Sequence, residues 1–331
     1  MKKIINQPEN IVDEMLRGIV AAHPDHVKRV EGFEVLVRAN GPESKVALVS
    51  GGGSGHEPAH GGFVGKGMLD AAVAGQVFTS PTPDQVLEAI KVVDGGQGVL
   101  LVIKNYTGDV MNFEMAAELA AEEGIKVEQV IVNDDVAVED STYTTGRRGI
   151  AGTVFIHKVA GAKAQAGGDL AEVKRVAEKA IKNVKSMGMA ISPCIVPAAG
   201  KPSFTLAENE VEIGMGIHGE PGTHREELRT ANETTDHLLE EIFKNLDLAK
   251  DDEVAVMVNG LGATPNMELY LVNLRVSEVL ASKGIKTVKT YVGDYMTSLE
   301  MAGFSITLLK LDAELKELLL AEADTPALVQ N

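Results

Sequence analysis

Two histidines in this chain stand among glycines at the ends of apolar runs. His56 sits in Val49-Ser50-Gly51-Gly52-Gly53-Ser54-Gly55-His56-Glu57-Pro58, and His218 in Ile213-Gly214-Met215-Gly216-Ile217-His218-Gly219-Glu220-Pro221-Gly222. Glycine removes the side chain that would hold a ligand off the backbone and permits positive φ, so such loops bring main-chain N–H groups and one reactive side chain against a small polar molecule. An imidazole placed there can act as nucleophile, acid, base or metal ligand. A lone histidine is more often a surface or satisfied core residue, but the shared context favours chemistry for the pair. Gly55-His56-Glu57-Pro58 and His218-Gly219-Glu220-Pro221 echo one another, and no longer internal repeat accompanies them.

Several familiar sites are excluded by single residues. His56-Glu57-Pro58-Ala59-His60 spells a zinc-protease string, which requires both imidazoles on one face of a continuous helix. Pro58 lacks an N–H and its ring would strike the carbonyl of Ser54, so no metal site is expected; Pro58 is expected in the first turn of a helix with His56 outside it. The dinucleotide fingerprint needs glycine or alanine where His56 stands, and Gly65-Lys66 lacks the Walker glycine at position 60 and a following Ser or Thr. No nucleotide cofactor is therefore expected on this chain. The hydrolase elbow also wants glycine at position 56, which makes Ser54 a poor nucleophile.

What remains suits a small polyol or keto-sugar. Gly53, Ser54 and Gly55 offer backbone donors, Lys104 ends a strand, and Asp109 opens a helix. Two readings stand for Asp109, a helix N-cap or a carboxylate that does chemistry. Two stand for Lys104 as well, a snorkelling strand-end cation or a ligand contact.

The elements that must carry these residues are of the α/β class. Apolar spacing predicts helices over 9–22, 82–94, 109–123, 226–245 and from 265, with buried-strand patterns at 45–49, 98–103, 126–132, 189–196, 211–217, 254–258, 287–292 and 305–311. Residues 138–152 lack either period and read as an ordered loop before the helices of 153–185; Gly293-Asp294 points toward one more helix, and the tail from 312 is read as a helix and a frayed end. Two α/β domains built on mixed or parallel sheets flanked by helices are expected, residues 1–185 with the Gly-rich loop, His56 and Asp109, and residues 186–331 with His218. Loops at the carboxyl ends of parallel strands gather ligands, and 51–56, 105–109, 218–222 and 259–264 fall there.

Bulk properties narrow the partners. At 331 residues the chain is long enough for two domains, and 44% hydrophobic residues describe a globular protein. A formal charge of −17 repels phosphate backbones and anionic lipid, so neither nucleic acid nor a membrane is an expected partner. The single cysteine, Cys194, cannot form an intrachain disulfide and reads as a buried structural thiol. Without a secretory h-region or an apolar run of about 18 residues, a cytoplasmic location is expected.

Four ordered motifs carry a family resemblance. Ser50-Gly51-Gly52-Gly53-Ser54-Gly55-His56-Glu57-Pro58, Lys104-Asn105-Tyr106-Thr107-Gly108-Asp109, Gly214-Met215-Gly216-Ile217-His218-Gly219-Glu220-Pro221-Gly222 and Asn259-Gly260-Leu261-Gly262 resemble the substrate-binding subunits of dihydroxyacetone kinases, from the first helix to the last strand. The resemblance implies a homodimer in which His218 adds to the ketone of dihydroxyacetone as a hemiaminal, with glyceraldehyde as a possible alternative ligand. It also implies that His56 is hydrogen-bond partner and acid/base, that Asp109 takes the proton of the accepting hydroxyl, and that residues 53–56 and Lys104 line the site. Adenine nucleotide and magnesium are then expected on a separate kinase subunit, recharged by a phosphotransferase component, because the chain ends soon after its closing strand. The rival within this resemblance is a non-catalytic coactivator that binds dihydroxyacetone and reports it to a transcription regulator.

Overall fold

The computed structural model describes residues 2–139 and 146–331. In chain order the elements are α1 (Ile11–Ala22), β1 (Val27–Arg29), β2 (Val35–Arg38), β3 (Ala47–Ser54), β4 (Ala71–Val77), α2 (Pro83–Val93), β5 (Val99–Lys104), α3 (Thr107–Glu122) and β6 (Val127–Val132). There follow α4 (Thr153–Gln165), α5 (Leu170–Asn183), β7 (Val184–Ala190), β8 (Glu210–Ile213), β9 (His224–Glu227), α6 (Ala231–Asn245), β10 (Glu253–Gly260), α7 (Asn266–Ser282), β11 (Lys286–Gly293), β12 (Gly303–Leu311), α8 (Ala313–Leu320), β13 (Ala323–Asp324) and β14 (Val329–Gln330). Six strands form one mixed sheet in the order β1-β2-β4-β3-β5-β6, and six form a second, β11-β10-β12-β7-β8-β9.

Alternation along the strands explains the layering. Leu48, Leu100 and Val102 point to a core shared with α4, α5 and α8 and with Met257 and Leu309 of the second sheet, so these helices lie between the two sheets. Val49, Leu101 and Ile103 face the other way, against α2 and α3, while Val256, Val258 and Leu308 pack with α6 and α7. Because both faces of each sheet are covered, its central strands read as unbroken apolar runs. The 185/186 division falls inside β7, the first strand of the second sheet. No described helix is long and apolar enough to cross a membrane.

The structure departs from sequence expectation at definite places. The glycine run is the end of β3, in parallel register with β4 through Gly53 opposite Gly75, and not a loop. Residues 57–60 form turns and no α-helix follows; Pro58 therefore opens none, and the two imidazoles of the zinc string diverge, His60 turning inward to His157. Strands β1, β2 and β4 carry no clear period-2 signal and escape the reading. Residues 224–227 pair with β8, so that 226 and 227, expected to open a helix, lie in a strand, and a reciprocal capping box of Thr230 and Glu233 starts α6 at Ala231. Glycine at 214, with φ +75°, ends β8 earlier than expected, and β7 spans Val184–Ala190 where a strand over 189–196 is expected, so that it begins within the stretch read as helix and meets the expected strand only at 189 and 190. Residues 294–302 contain no helix, and the tail is ordered, with Gln330 buried and accepting from Tyr291. Of the loop expected over 138–152, residues 140–145 lie outside the described residues.

Candidate functional site

His56 is held in one tautomer by the far half of the chain. Its Nδ1 lies 2.8 Å from the carbonyl oxygen of Thr297, which can only accept, so Nδ1 carries the proton and Nε2 keeps its lone pair. That Nε2 is buried and has no hydrogen-bond partner among the described residues. Burial, and then the charges of His218 and Lys104, hold the ring well below the ordinary histidine range, which leaves it neutral.

The loop that supplies Thr297 is itself braced. Asn259, at the end of β10, accepts from the backbone N–H groups of Tyr295 and Met296 at 2.9 Å and donates to the Met296 carbonyl at 2.8 Å. Thr297 N–H donates to His56 O, and Leu299 N–H to Gly55 O. The Asn259-Gly260-Leu261-Gly262 motif, grouped among the ligand loops by sequence, thus acts through the His56 loop.

His218 approaches the same point from the turn after β8. Its ring meets that of His56 edge to face, with centroids 4.7 Å apart and planes at 77°. The rings of Tyr106 and Phe78 stand against it at 4.6 Å and 5.2 Å. Nδ1 of His218 contacts Glu220 Oε1 at 2.8 Å, and the backbone N–H of His218 donates to the other oxygen. Burial works against the Glu220 carboxylate, but the His218 ring and these hydrogen bonds outweigh it and hold the acid at about 2. An ionised Glu220 makes Nδ1 the protonated nitrogen and exposes the lone pair on Nε2. This is the arrangement that orients a nucleophile.

Beneath the two histidines lies a buried polar chain. Lys104 is fully buried, so it does not snorkel; its Nζ contacts His60 Nε2 at 3.1 Å, Gly51 O at 3.3 Å and Asp109 Oδ2 at 3.5 Å. Asp109 lies in the first turn of α3, whose N-cap is Tyr106, and its Oδ1 accepts from Ser80 Oγ at 2.5 Å. The N-cap reading therefore fails, although the helix N-terminus still favours a carboxylate there. Since Lys104 donates to His60 Nε2, the neutral His60 carries its proton on Nδ1 and donates it in a hydrogen bond to His157 Nε2 at 3.0 Å. Burial, then the Lys104 charge, pushes His60 well down and His157 to about 3.

The glycines serve this packing. A Cβ on Gly52, whose φ is +152°, would collide with the Lys104 ammonium and crowd Asp109 Oδ2. A Cβ on Gly53 would fall 2.6 Å from the Thr79 nitrogen. One expected ligand donor is already engaged, the Gly55 N–H, which donates to Glu57 Oε1 at 3.0 Å; the Ser54 side chain is occupied as well, its hydroxyl donating to Gly75 O at 2.7 Å. Cys194 is buried, as expected, and burial raises its thiol.

Sequence reasoning passed over Phe78, Tyr106, Glu220, His60 and His157. Tyr106 and Glu220 lie inside quoted motifs, and their spacing to Lys104 and His218 was the available signal. Phe78 stacks on His56 at 5.2 Å with planes 15° apart and has φ +58°, unusual for a non-glycine residue; no sequence pattern marks it.

The class that this fold and these motifs define is shown by comparison with known proteins. The chain belongs to the Dak1 domain family, whose model matches residues 17–327. It is 57% identical over 314 residues to a Listeria innocua protein named PTS-dependent dihydroxyacetone kinase 1, dihydroxyacetone-binding subunit DhaK, covering 95% of each chain. The crystal structure of the dihydroxyacetone kinase of C. freundii matches with a TM-score of 0.90 at 38% identity, over 99% of this chain and 60% of that one. A dihydroxyacetone kinase operon co-activator, Dha-DhaQ, matches with a TM-score of 0.91 at 36% identity, over 96% of this chain and 98% of that one.

Proposed function

We propose that this chain binds dihydroxyacetone covalently on His218 and presents one of its hydroxyls to a phosphoryl donor carried by a separate subunit, as the dihydroxyacetone-binding subunit of a phosphotransferase-linked kinase. The observation that carries the reading is the paired tautomers, with Nδ1 of each histidine engaged by an acceptor and both Nε2 lone pairs left for a ligand.

In the binding step Nε2 of His218, when the ring is in its neutral form, adds to the carbonyl carbon. A C–N bond forms as the C=O π pair moves to oxygen; the oxygen takes a proton from water and Nδ1 returns one to water, Glu220 staying ionised, so that the hemiaminal is neutral. Glycerol has no carbonyl and is rejected by chemistry rather than by shape. Nε2 of His56 accepts a hydrogen bond from the bound ligand and serves as acid and base. Asp109 takes the proton of the accepting hydroxyl late in transfer, when the O–P bond has largely formed; Lys104 and the backbone of 53–55 position that hydroxyl, the Gly55 N–H exchanging its Glu57 partner to do so. Adenine nucleotide with magnesium on the partner subunit supplies the phosphoryl group.

Two copies associate in this reading. Met267, Tyr270, Leu271 and Leu274 form an exposed apolar stripe at helical spacing on α7, suited to a like surface.

Intact-mass spectrometry tests the covalent step. Incubation with dihydroxyacetone should add one ligand mass, glycerol none, and His218→Ala should abolish the adduct; an adduct that survives in that variant overturns the assignment. Likeness to the operon co-activator favours a second reading, a sensor that binds the ketone without transferring phosphate. Asp109→Ala separates them: loss of turnover with the charged partner subunit, with the adduct retained, belongs to the kinase, and no turnover in the unaltered protein belongs to the sensor.

A further inference from the structure

A cluster unrelated to the keto-sugar site lies on the outer edge of the second sheet. His224 and Glu226 of β9 and His237 of α6 bring one ligand atom each to within 4.8 Å of one another. Nε2 of His224 is 3.5 Å from Glu226 Oε2, and Nδ1 of His237 is 3.4 Å from Oε1 of the same carboxylate.

Hydrogen bonding sets the orientation of the first ligand. The Thr223 hydroxyl reaches Ile213 O at 3.2 Å and Nδ1 of His224 at 3.0 Å; when it donates to Ile213 O, its oxygen accepts from Nδ1–H of His224. The lone pair of neutral His224 is then on Nε2, facing a carboxylate oxygen that also has only lone pairs to offer. Two such atoms repel unless a cation or a proton lies between them. A shared proton would draw them to about 2.7–2.9 Å, whereas donors bonded at about 2.0–2.2 Å to a tetrahedral ion stand roughly 3.3–3.5 Å apart. The two gaps lie nearer the second spacing; they run to different oxygens of one carboxylate, and one ligand atom from each of the three residues falls within 4.8 Å of the others. The Thr223 bond is the outer-shell contact that metal-binding imidazoles use to fix their tautomer.

We propose that His224, Glu226 and His237 form a binding site for a divalent transition ion of the zinc type, with water completing its coordination. Two imidazoles and one carboxylate favour zinc, cobalt, nickel or copper over magnesium or calcium, which prefer all-oxygen sets. The ion would staple the edge strand β9, six residues past His218, to helix α6. Arg229 opposes it, since its guanidinium is 2.6 Å from Glu226 Oε2. That side chain is about half exposed (47%) and can turn to solvent when the ion enters.

The test uses the full chain, stripped with a chelator, dialysed, and titrated with zinc chloride against a chromogenic chelator. One equivalent should bind per chain, with an accompanying rise in the unfolding midpoint. Glu226→Gln and His237→Ala should each weaken binding by at least about 10-fold, and Arg229→Ala should tighten it. His224→Asn removes an exposed ligand without touching the core and should weaken it likewise if His237→Ala fails to fold. Cobalt should give the intense visible absorption of a tetrahedral site in the unaltered chain only. Absence of saturable zinc uptake, or uptake that all three ligand variants leave unchanged, overturns the proposal.

Discussion

His56 and Thr297 are separated by 241 residues, and the 2.8 Å contact between the ring Nδ1 of one and the carbonyl oxygen of the other fixes which nitrogen of His56 faces the site. Because Asn259 holds the Thr297 loop, a residue with no evident reach to ligand is bound into the chemistry. Asn259→Ala should lower turnover by about tenfold. It should also destabilise the fold by about 2–3 kcal/mol, since it leaves buried N–H groups without acceptors. Steady-state kinetics and urea unfolding check the two effects; normal turnover would detach Asn259 from the site.

Glu220 sets the reactive nitrogen of His218. Glu220→Gln keeps the size of the side chain but removes the charge that favours a protonated Nδ1, so the ketone adduct should form more slowly while Asp109 and Lys104 remain in place. Stopped addition time courses read by mass spectrometry measure this. The depressed Glu220 acid also contributes stability, complete above its unfolded value near 4.5 and lost as pH falls through about 2. Acid unfolding of Glu220→Gln should be shallower across that interval.

A neutral His157 makes a separate pH signature. Its folded value of about 3 lies below the unfolded 6.5, so the unfolded chain binds the extra proton and stability drops as pH falls from 6.5 toward 3. His157→Gln should flatten stability across that window, measured by denaturant midpoints at several pH values. An unchanged slope would mean that another group carries the acid sensitivity.

Gly52 gives the most local prediction. In Gly52→Ala the new methyl group must displace the Lys104 ammonium from its contacts with His60, Gly51 and Asp109. Turnover should fall at least tenfold, by about 1.4 kcal/mol or more in barrier, while the His218 adduct still forms. Kinetics beside intact-mass measurement separates the two, and near-normal turnover would show that Lys104 tolerates displacement.

Sequence alone determined a good deal. Periodicity fixes the β5-α3-β6 unit almost to its ends, because apolar residues at spacings of 3.6 and 2 are needed to cover a buried sheet. Pro58 alone rules out the zinc helix, since a missing N–H is a local property, and the motifs around His56, Lys104, Asp109 and His218 are legible as strings. Tertiary structure decided the rest. Whether Gly51-Gly52-Gly53 is loop or strand depends on how closely β4 and Lys104 approach, and whether Asp109 caps its helix or faces Lys104 depends on Ser80 and β5. The tautomers of His56 and His218 follow from Thr297 and Glu220. Of these partners only Glu220 is near in sequence, and a proton's position on an imidazole is set by what lies across space from it.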